Sequence, residues 1–251
     1  MHHAMRCAAV TGGGKGIGRA VVARLVEDGF RVVAMGRDQD ALAATADAVP
    51  GPVTTQVCDV ADPVSVAAAF GAAGPVDVLV NNAGVAESAP VHRIDLDSWE
   101  RMHRVNATGP LLCIQQVLLG MRQRGWGRIV TIASVASHQG APYIAAYVAS
   151  KHAVLGLMRS LSAEVAGSGI TANSVCPGYV RTPMTERTIA NIMAKTGRSE
   201  DDARAALTGA TRLGRLIEPE EVAAAVAYLV SDAAAAVNGQ SILIDGGDLQ
   251  R

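Results

Sequence analysis

Tyr147 and Lys151 stand four positions apart in Tyr147-Val148-Ala149-Ser150-Lys151. On a helix that spacing brings both side chains to one face. A phenol beside an ammonium is suited to acid–base work on an oxygen atom. Such a pair is common by chance and decides nothing alone. Three further features give it weight. Ser134 ends an apolar run, Ile132-Ala133-Ser134, so its hydroxyl emerges at a strand end. Asn81-Asn82-Ala83-Gly84 ends another such run. Asn106, in Asn106-Ala107-Thr108-Gly109, interrupts a long helical pattern with polar residues and glycine.

A second chemical feature lies near the start. Thr11-Gly12-Gly13-Gly14-Lys15-Gly16-Ile17-Gly18 follows a β-branched run and opens a helical one. Glycines permit a tight turn and close approach of backbone N–H groups to a diphosphate, and the helix N-terminus adds its unpaired donors and dipole. The spacing is TGxxxGxG, neither GxGxxG nor a Walker A loop, which needs Lys-Ser/Thr after its last glycine. The end of the second strand reads Met35-Gly36-Arg37-Asp38. A carboxylate directly at that end would accept a ribose 2′-hydroxyl and repel a phosphate. Glycine and then arginine stand there instead, and Lys15 lies in the turn, so two cations favour a 2′-phosphate: NADP(H) before NAD(H). Asp38 argues the other way, through neutralising Arg37 or meeting the ribose itself.

These residues need a scaffold that brings strand ends together. Strands are expected at Arg6–Thr11, Arg31–Met35, Val53–Val57, Val76–Val80, Arg128–Ile132, Thr171–Val175 and Ser241–Ile244. Helices are expected at Gly16–Asp28, Gln39–Ala48, Pro63–Phe70, Ser98–Arg124, Tyr147–Val165 and Glu218–Ser231. Alternation of this kind predicts a single α/β domain over residues 6–251, after an N-terminal extension over 1–5. Its architecture is a Rossmann-type, doubly wound parallel sheet of about seven strands with helices on both faces. Asp62-Pro63 and Glu218-Pro219 supply helix starts. Pro183–Leu213 breaks the rhythm and is expected to form one or two short helices. As it follows a strand end, where ligands of such sheets bind, it is read as a lid over the substrate rather than a surface insertion.

Composition limits the alternatives. In 251 residues, 49% are apolar and 18% charged, a globular balance, and the net charge of −1 offers no electrostatic footprint for nucleic acid or a membrane. No apolar run is long enough to span a bilayer and no signal peptide is evident, so the expected location is cytoplasmic. Cys7, Cys58, Cys113 and Cys176 lie in or beside apolar runs without metal-ligand spacing and read as buried hydrophobes; no metal site is expected, His2 and His3 included. The lysines are only Lys15, Lys151 and Lys195, two of them inside the motifs above.

With these motifs in order, residues 6–247 resemble the classical short-chain dehydrogenase/reductase family, through TGGGKGIG, Asp59 in Cys58-Asp59-Val60, NNAG, Asn106, Ser134, YVASK and Pro177-Gly178 followed by Thr182. The resemblance implies a catalytic tetrad of Asn106, Ser134, Tyr147 and Lys151. Tyr147 would exchange the proton, its free value near ~10 lowered by Lys151. Ser134 would hold the substrate oxygen, and Asn106, at a helix kink, would support a water relay to Lys151. Cofactor contacts are implied for Gly12, Gly14, Lys15, Gly16, Ile17 and Gly18 in the turn, for Arg37, and for Asp59 with Val60 at the adenine. Further contacts are implied for Asn82, Ala83 and Gly84 along the adenosine and ribose. Tyr147 and Lys151 would meet the nicotinamide ribose, and Pro177, Gly178, Val180 and Thr182 the nicotinamide. Asn82–Gly84 also reads as a strand cap, and both readings can hold together. Ser137, His138 and His152, although near the motif, take bland structural readings.

The implied activity is reduction of a ketone to a secondary alcohol. A 3-oxoacyl thioester on acyl carrier protein or coenzyme A comes first, then a polyketide or other cyclic ketone, then a 3-hydroxybutyrate-type substrate. Arg128 matches a basic position used for carrier-protein docking, whereas the second such position is Ser168. A lid with Ile189, Ile192 and Met193 suits a cyclic ketone. A regulatory protein that binds NADP(H) without turnover is the non-enzymatic alternative, against which the retained Tyr147 and Lys151 argue. The epimerase branch needs a larger substrate domain. A homo-oligomer, with a tetramer favoured, follows from the long helices Ser98–Arg124 and Tyr147–Val165 and from Asp245-Gly246-Gly247, which resembles the family's ending.

Overall fold

Alternate residues of the first strand feed opposite sides of one sheet. In β1 (Cys7–Thr11) all five residues are buried. Cys7 and Ala9 belong to one apolar cluster, Ala8 and Val10 to another. A strand buried on both faces needs a helix layer on each, and the rest of the chain supplies both. The computed structural model describes residues 5–209 and 211–249, so the expected N-terminal extension lies, apart from Met5, outside the described residues.

The elements alternate. α1 (Gly16–Glu27), β2 (Arg31–Gly36), α2 (Gln39–Ala48), β3 (Val53–Val57), α3 (Pro63–Ala73) and β4 (Val78–Asn81) come first. α4 (Leu96–His103), a π turn over Arg104–Thr108, α5 (Gly109–Arg124), β5 (Gly127–Ile132), α6 (Ala145–Glu164) and β6 (Ile170–Pro177) follow. α7 (Pro183–Thr196), α8 (Glu200–Thr208), α9 (Pro219–Val230) and β7 (Ser241–Ile244) complete the chain. All seven strands are parallel in the order β3-β2-β1-β4-β5-β6-β7. The chain winds outward from β1 through β3, then jumps back to place β4 on the other side of β1. At that reversal the crossover connections diverge and leave a crevice at the carboxyl ends.

One face carries α3, α5 and α6, sealed by Phe70, Val117, Met121 and Met158; the other carries α1, α2 and α9, sealed by Leu25, Leu42, Val226 and Leu229. All four cysteines are buried and free. The expected cap at Asp62 is present: its Oδ1 accepts the Val64 N–H at 3.0 Å, with Pro63 in the first turn. At α9 the Glu221 carboxylate accepts the Glu218 N–H at 2.8 Å.

Several boundaries differ from the sequence expectation, three of them with a clear structural cause or consequence. β4 starts at Val78 rather than Val76, because Asp77 commits its carboxylate to the Cys7 N–H and to Arg124 at the sheet's amino edge. The long helix expected over Ser98–Arg124 is three consecutive pieces, with the π turn around Asn106. The segment after β6 holds two helices, of which α7 is a full 14 residues and not short.

Candidate active site

The carboxyl ends of β1, β4, β5 and β6 open onto a single cleft of about 420 Å³. From the first turn come Gly12, Lys15, Gly16 and Ile17; from the end of β4, Asn82, Ala83 and Gly84. Ser134 follows β5, Tyr147 and Lys151 come from α6, and Pro177, Gly178, Val180 and Thr182 follow β6. Gly14, Gly18, Arg37, Asp59, Val60 and Asn106 stand outside that wall. A Cβ on Gly14 would lie 3.1 Å from Ala41 of α2, and one on Gly18 would strike the Gly12 carbonyl oxygen, so both glycines serve close packing. Asp59 Oδ1 accepts the Ala61 N–H at 3.0 Å, and Val60 is buried against Gly109 at the start of α5. Ser137, His138 and His152 do not line the cleft.

The glycine turn is cut to admit a phosphate. Gly12 has a φ of +66°, and a Cβ there would meet Asn82 Nδ2 at 2.7 Å, so no side chain fits. Lys15 is the N-cap of α1 in extended conformation without a side-chain cap, so its first turn keeps donors for an anion. Asn82 locks the turn by donating to the Thr11 and Gly12 carbonyls at 2.9 and 3.2 Å. The Thr11 hydroxyl in turn accepts the N–H groups of Asn82 and Ala83 at 3.0 and 3.1 Å. The motif places Thr11 at the head of the turn without giving it a role. Its signal was a hydroxyl residue closing a strand directly before the glycines.

Lys15 lies 2.6 Å from Asp38, whose other oxygen caps α2 at the Ala41 N–H. The Lys15 hydrogen bond, then the Ala41 N–H, hold this carboxyl below its usual range. Asp38 therefore neutralises Lys15 and not Arg37. Arg37 stays exposed without a carboxylate partner among the described residues.

Tyr147 sits in the first turn of α6, because that helix begins two residues before the expected start. Burial pushes the pKa of its phenol up, and the Ser134 hydroxyl nearby pulls it down to a lesser degree. Ser134 is extended and also accepts the Ala136 N–H at 3.1 Å, which fixes its rotamer. Lys151 is 6% exposed. Its ammonium donates to the Ile132 carbonyl at 2.9 Å and lies 5.7 Å from the Tyr147 ring centroid. Burial pushes Lys151 down to about 8. The expected net lowering of the phenol pKa is not found: desolvation outweighs every lowering influence, and Tyr147 keeps its proton at neutral pH.

Asn106 takes its place through the π turn, which swings its amide toward the end of β4. Its Nδ2 donates to the Val85 carbonyl at 2.9 Å and to Ser150 Oγ at 3.0 Å, and its Oδ1 accepts the Val85 N–H at 2.9 Å. A Cβ on Gly84 would sit 3.4 Å from Asn106 Oδ1 and 3.8 Å from Lys151 Nζ, so this position lies directly between the two side chains. Ser150, inside the YVASK motif, went unremarked in the sequence reading.

Two lid and docking expectations are corrected. Ile189, Ile192 and Met193 pack with Ala203 and Leu207 between α7 and α8; the cleft receives Met184, Arg187 and Thr188 from α7 instead. Arg128 is 3% exposed, donates to the Gly127 and Gly169 carbonyls, and lies 4.5 Å from the centroid of the Trp126 ring. It is a buried structural cation at the amino end of β5, inaccessible to a docking protein. Tyr179, Gln139 and Arg187 line the cleft and were missed, since nothing local marks a side chain brought in from a connecting segment.

The short chain dehydrogenase family model matches residues 6–192. A protein named as ketoacyl reductase 1 of the granaticin polyketide synthase of Streptomyces violaceoruber is 41% identical, over 96% of this chain and 92% of its own length. A cis-4-hydroxycyclohexanecarboxylate dehydrogenase of Sinomonas cyclohexanicum is 40% identical, over 97% and 96%. Among solved structures, a single-substitution variant of the actinorhodin polyketide ketoreductase, with NADPH, superimposes with a TM-score of 0.94 at 37% identity, covering 97% of both chains. With this sheet order, this cleft and these relatives, the chain belongs to the short-chain dehydrogenase/reductase family.

Proposed function

We propose that the protein is an NADPH-dependent ketoreductase that converts a ketone of an acyl thioester or polyketide chain to a secondary alcohol. The observation that carries this reading is the meeting of Ser134, Tyr147 and Lys151 with the glycine turn in one cleft. The polyketide ketoreductase likeness supports the substrate class, and the NADPH of the actinorhodin relative supports the cofactor. The cradle fits a dinucleotide: Gly12 admits no side chain, α1 is uncapped, and Arg37 stands exposed just past the end of β2, without a carboxylate partner among the described residues.

When bound, the nicotinamide supplies the hydride that adds to the carbonyl carbon. Ser134 and Tyr147 both present O–H groups to the carbonyl oxygen, and Tyr147 gives that oxygen its proton. Upward displacement of the Tyr147 pKa suits this direction, since the residue must arrive protonated. The phenolate left behind is favoured by the Lys151 ammonium, and solvent returns the proton. Asn106 acts on this centre as a positioning group, by fixing the end of β4 to α6 through Val85 and Ser150. Asn82–Gly84 would hold the adenosine and ribose, Asp59 and Val60 the adenine, and Pro177, Gly178, Val180 and Thr182 the nicotinamide.

A second reading, reduction of a free cyclic ketone, is favoured by the apolar wall of Val85, Ala86, Val135, Ala136, Ala141 and Ile144 and by the cyclohexane-acting relative. A screen of NADPH oxidation over 3-oxoacyl thioesters, decalones and quinones tests both, and a protein that oxidises NADPH with none of them loses the assignment. A homotetramer built on the helical run around α5 and on α6 belongs to the same proposal, supported by exposed Trp99, Leu111 and Leu119. Light scattering after size exclusion tests it. The proposed location is the cytoplasm; among the described residues no helix is long and apolar enough to cross a membrane.

A further inference from the structure

The cleft wall contains three cations, Lys15, Lys151 and Arg187, and no aspartate or glutamate. Two of them are engaged. Lys15 pairs with Asp38 at 2.6 Å, and Lys151 donates to the Ile132 carbonyl at 2.9 Å. Arg187 is exposed to the cleft and has no ion pair or hydrogen bond among the described residues. Its neighbour Glu186 is turned the other way, toward α8, where Arg204 takes both carboxylate oxygens at 3.2 and 3.0 Å. Successive residues on a helix point about 100° apart, so Glu186 cannot serve both arginines. A separate cavity of about 340 Å³ beside α8 also holds arginines, 181, 204 and 215. Each of those is neutralised by a glutamate, Glu218, Glu186 or Glu221. Arg187 alone of these cations has neither a carboxylate nor a hydrogen-bond partner among the described residues, in a wall that has no acid.

A guanidinium in that position draws in an anion, and its planar fork suits carboxylate or phosphate oxygens. The dinucleotide has its own receptor in the glycine turn and the uncapped start of α1. Arg187 stands beyond the place where α7 abuts that turn, on the helix face it shares with Met184 and Thr188. We infer that Arg187 is a specificity-determining residue, which binds an anionic group, phosphate or carboxylate, carried by the ketone substrate away from its reacting carbon. This inference rests on the ketoreductase reading of the cleft.

The test compares wild type with Arg187→Gln and Arg187→Glu on two matched ketone pairs. One pair is S-acetoacetyl-4′-phosphopantetheine and S-acetoacetyl-pantetheine; the other is 4-oxocyclohexanecarboxylate and its methyl ester. In wild type, kcat/KM favours the charged member of at least one pair by about tenfold, the scale of one charge-assisted contact. In Arg187→Gln the ratio falls to near one, and in Arg187→Glu it inverts. A wild type without preference, or a preference that survives Arg187→Gln, overturns the inference. So does a result in which Arg187→Gln weakens NADPH binding while the substrate ratio holds, because that assigns the arginine to the cofactor's diphosphate. Binding of the same four ketones to the NADPH-loaded protein, read by NADPH fluorescence, separates this claim from the ketoreductase reading. Tight, Arg187-dependent binding of the charged members without any turnover keeps the anion site and removes the reductase assignment.

Discussion

Asn106 donates to Ser150 Oγ at 3.0 Å, and Ser150 Oγ donates to the Tyr147 carbonyl at 2.8 Å. A residue in a π turn is thereby tied, through one hydroxyl, to the helical turn that carries the phenol. The same amide closes on both backbone groups of Val85. Replacing Asn106 by Ala strips partners from groups that are wholly or partly buried, a loss of about 2 kcal/mol. Asn106→Ala is expected to lower the midpoint of thermal unfolding by roughly 4–8 °C and kcat by more than tenfold. An unchanged melting curve in scanning calorimetry contradicts this coupling.

Cofactor choice depends on charge at the end of β2. Arg37 is free of carboxylates among the described residues, whereas Lys15 is held by Asp38. Arg37→Glu is expected to reduce kcat/KM for NADPH by roughly 10- to 100-fold and to leave NADH within about threefold, as a 2′-phosphate is present only in the former. Parallel kinetics with the two coenzymes decide the matter, and equal losses for both refute the role.

The pH profile follows from Lys151, which burial holds down to about 8. Below pH 8 folded and unfolded chains both carry this proton, so the full cost of burying the charge is present. Between pH 8 and the unfolded value near ~10.4 the folded chain releases it first, and that cost is relieved as pH rises. Activity moves oppositely, because the neutral amine no longer favours the phenolate. For reduction, kcat/KM, which reports the free enzyme, is expected to fall about tenfold per pH unit above pH 8. A profile flat to about pH 10 contradicts it.

Arg128 gives a prediction of the opposite kind. It is buried beside Trp126 and bonded to two carbonyls. Arg128→Ala is expected to lower stability by about 2 kcal/mol, leaving both carbonyls short of a donor. The ratio of KM values for carrier-protein-bound and coenzyme A-bound substrate should not move. A rise confined to the carrier-protein substrate restores the docking role.

Much of the scaffold is written in local pattern. β1 and β4 are wholly buried and read as nearly continuous apolar runs, and Asp62-Pro63 announces α3 through its own side chain. The glycine turn, Ser134, Tyr147 and Lys151 reach one cleft because strand ends in a parallel sheet share an edge. The properties that failed to show depend on what packs against a residue. Arg128 matches a docking position by alignment alone, and only Trp126 with the Gly169 carbonyl reveals it as interior. Ile189, Ile192 and Met193 make α7 amphipathic without saying whether that face meets substrate or α8. For Tyr147, the attraction of Lys151 was visible in the spacing, while the burial that outweighs it was not.

The central claim is that Tyr147 gives the proton to the reduced carbonyl oxygen. The most direct measurement is single-turnover oxidation of NADPH by a reducible ketone in Tyr147→Phe, alongside the Kd for NADPH. The rate is expected to fall by about 10²–10⁴ while NADPH still binds, since the variant lacks only the proton donor. A Tyr147→Phe protein that binds NADPH and turns over within a few-fold of wild type contradicts the account.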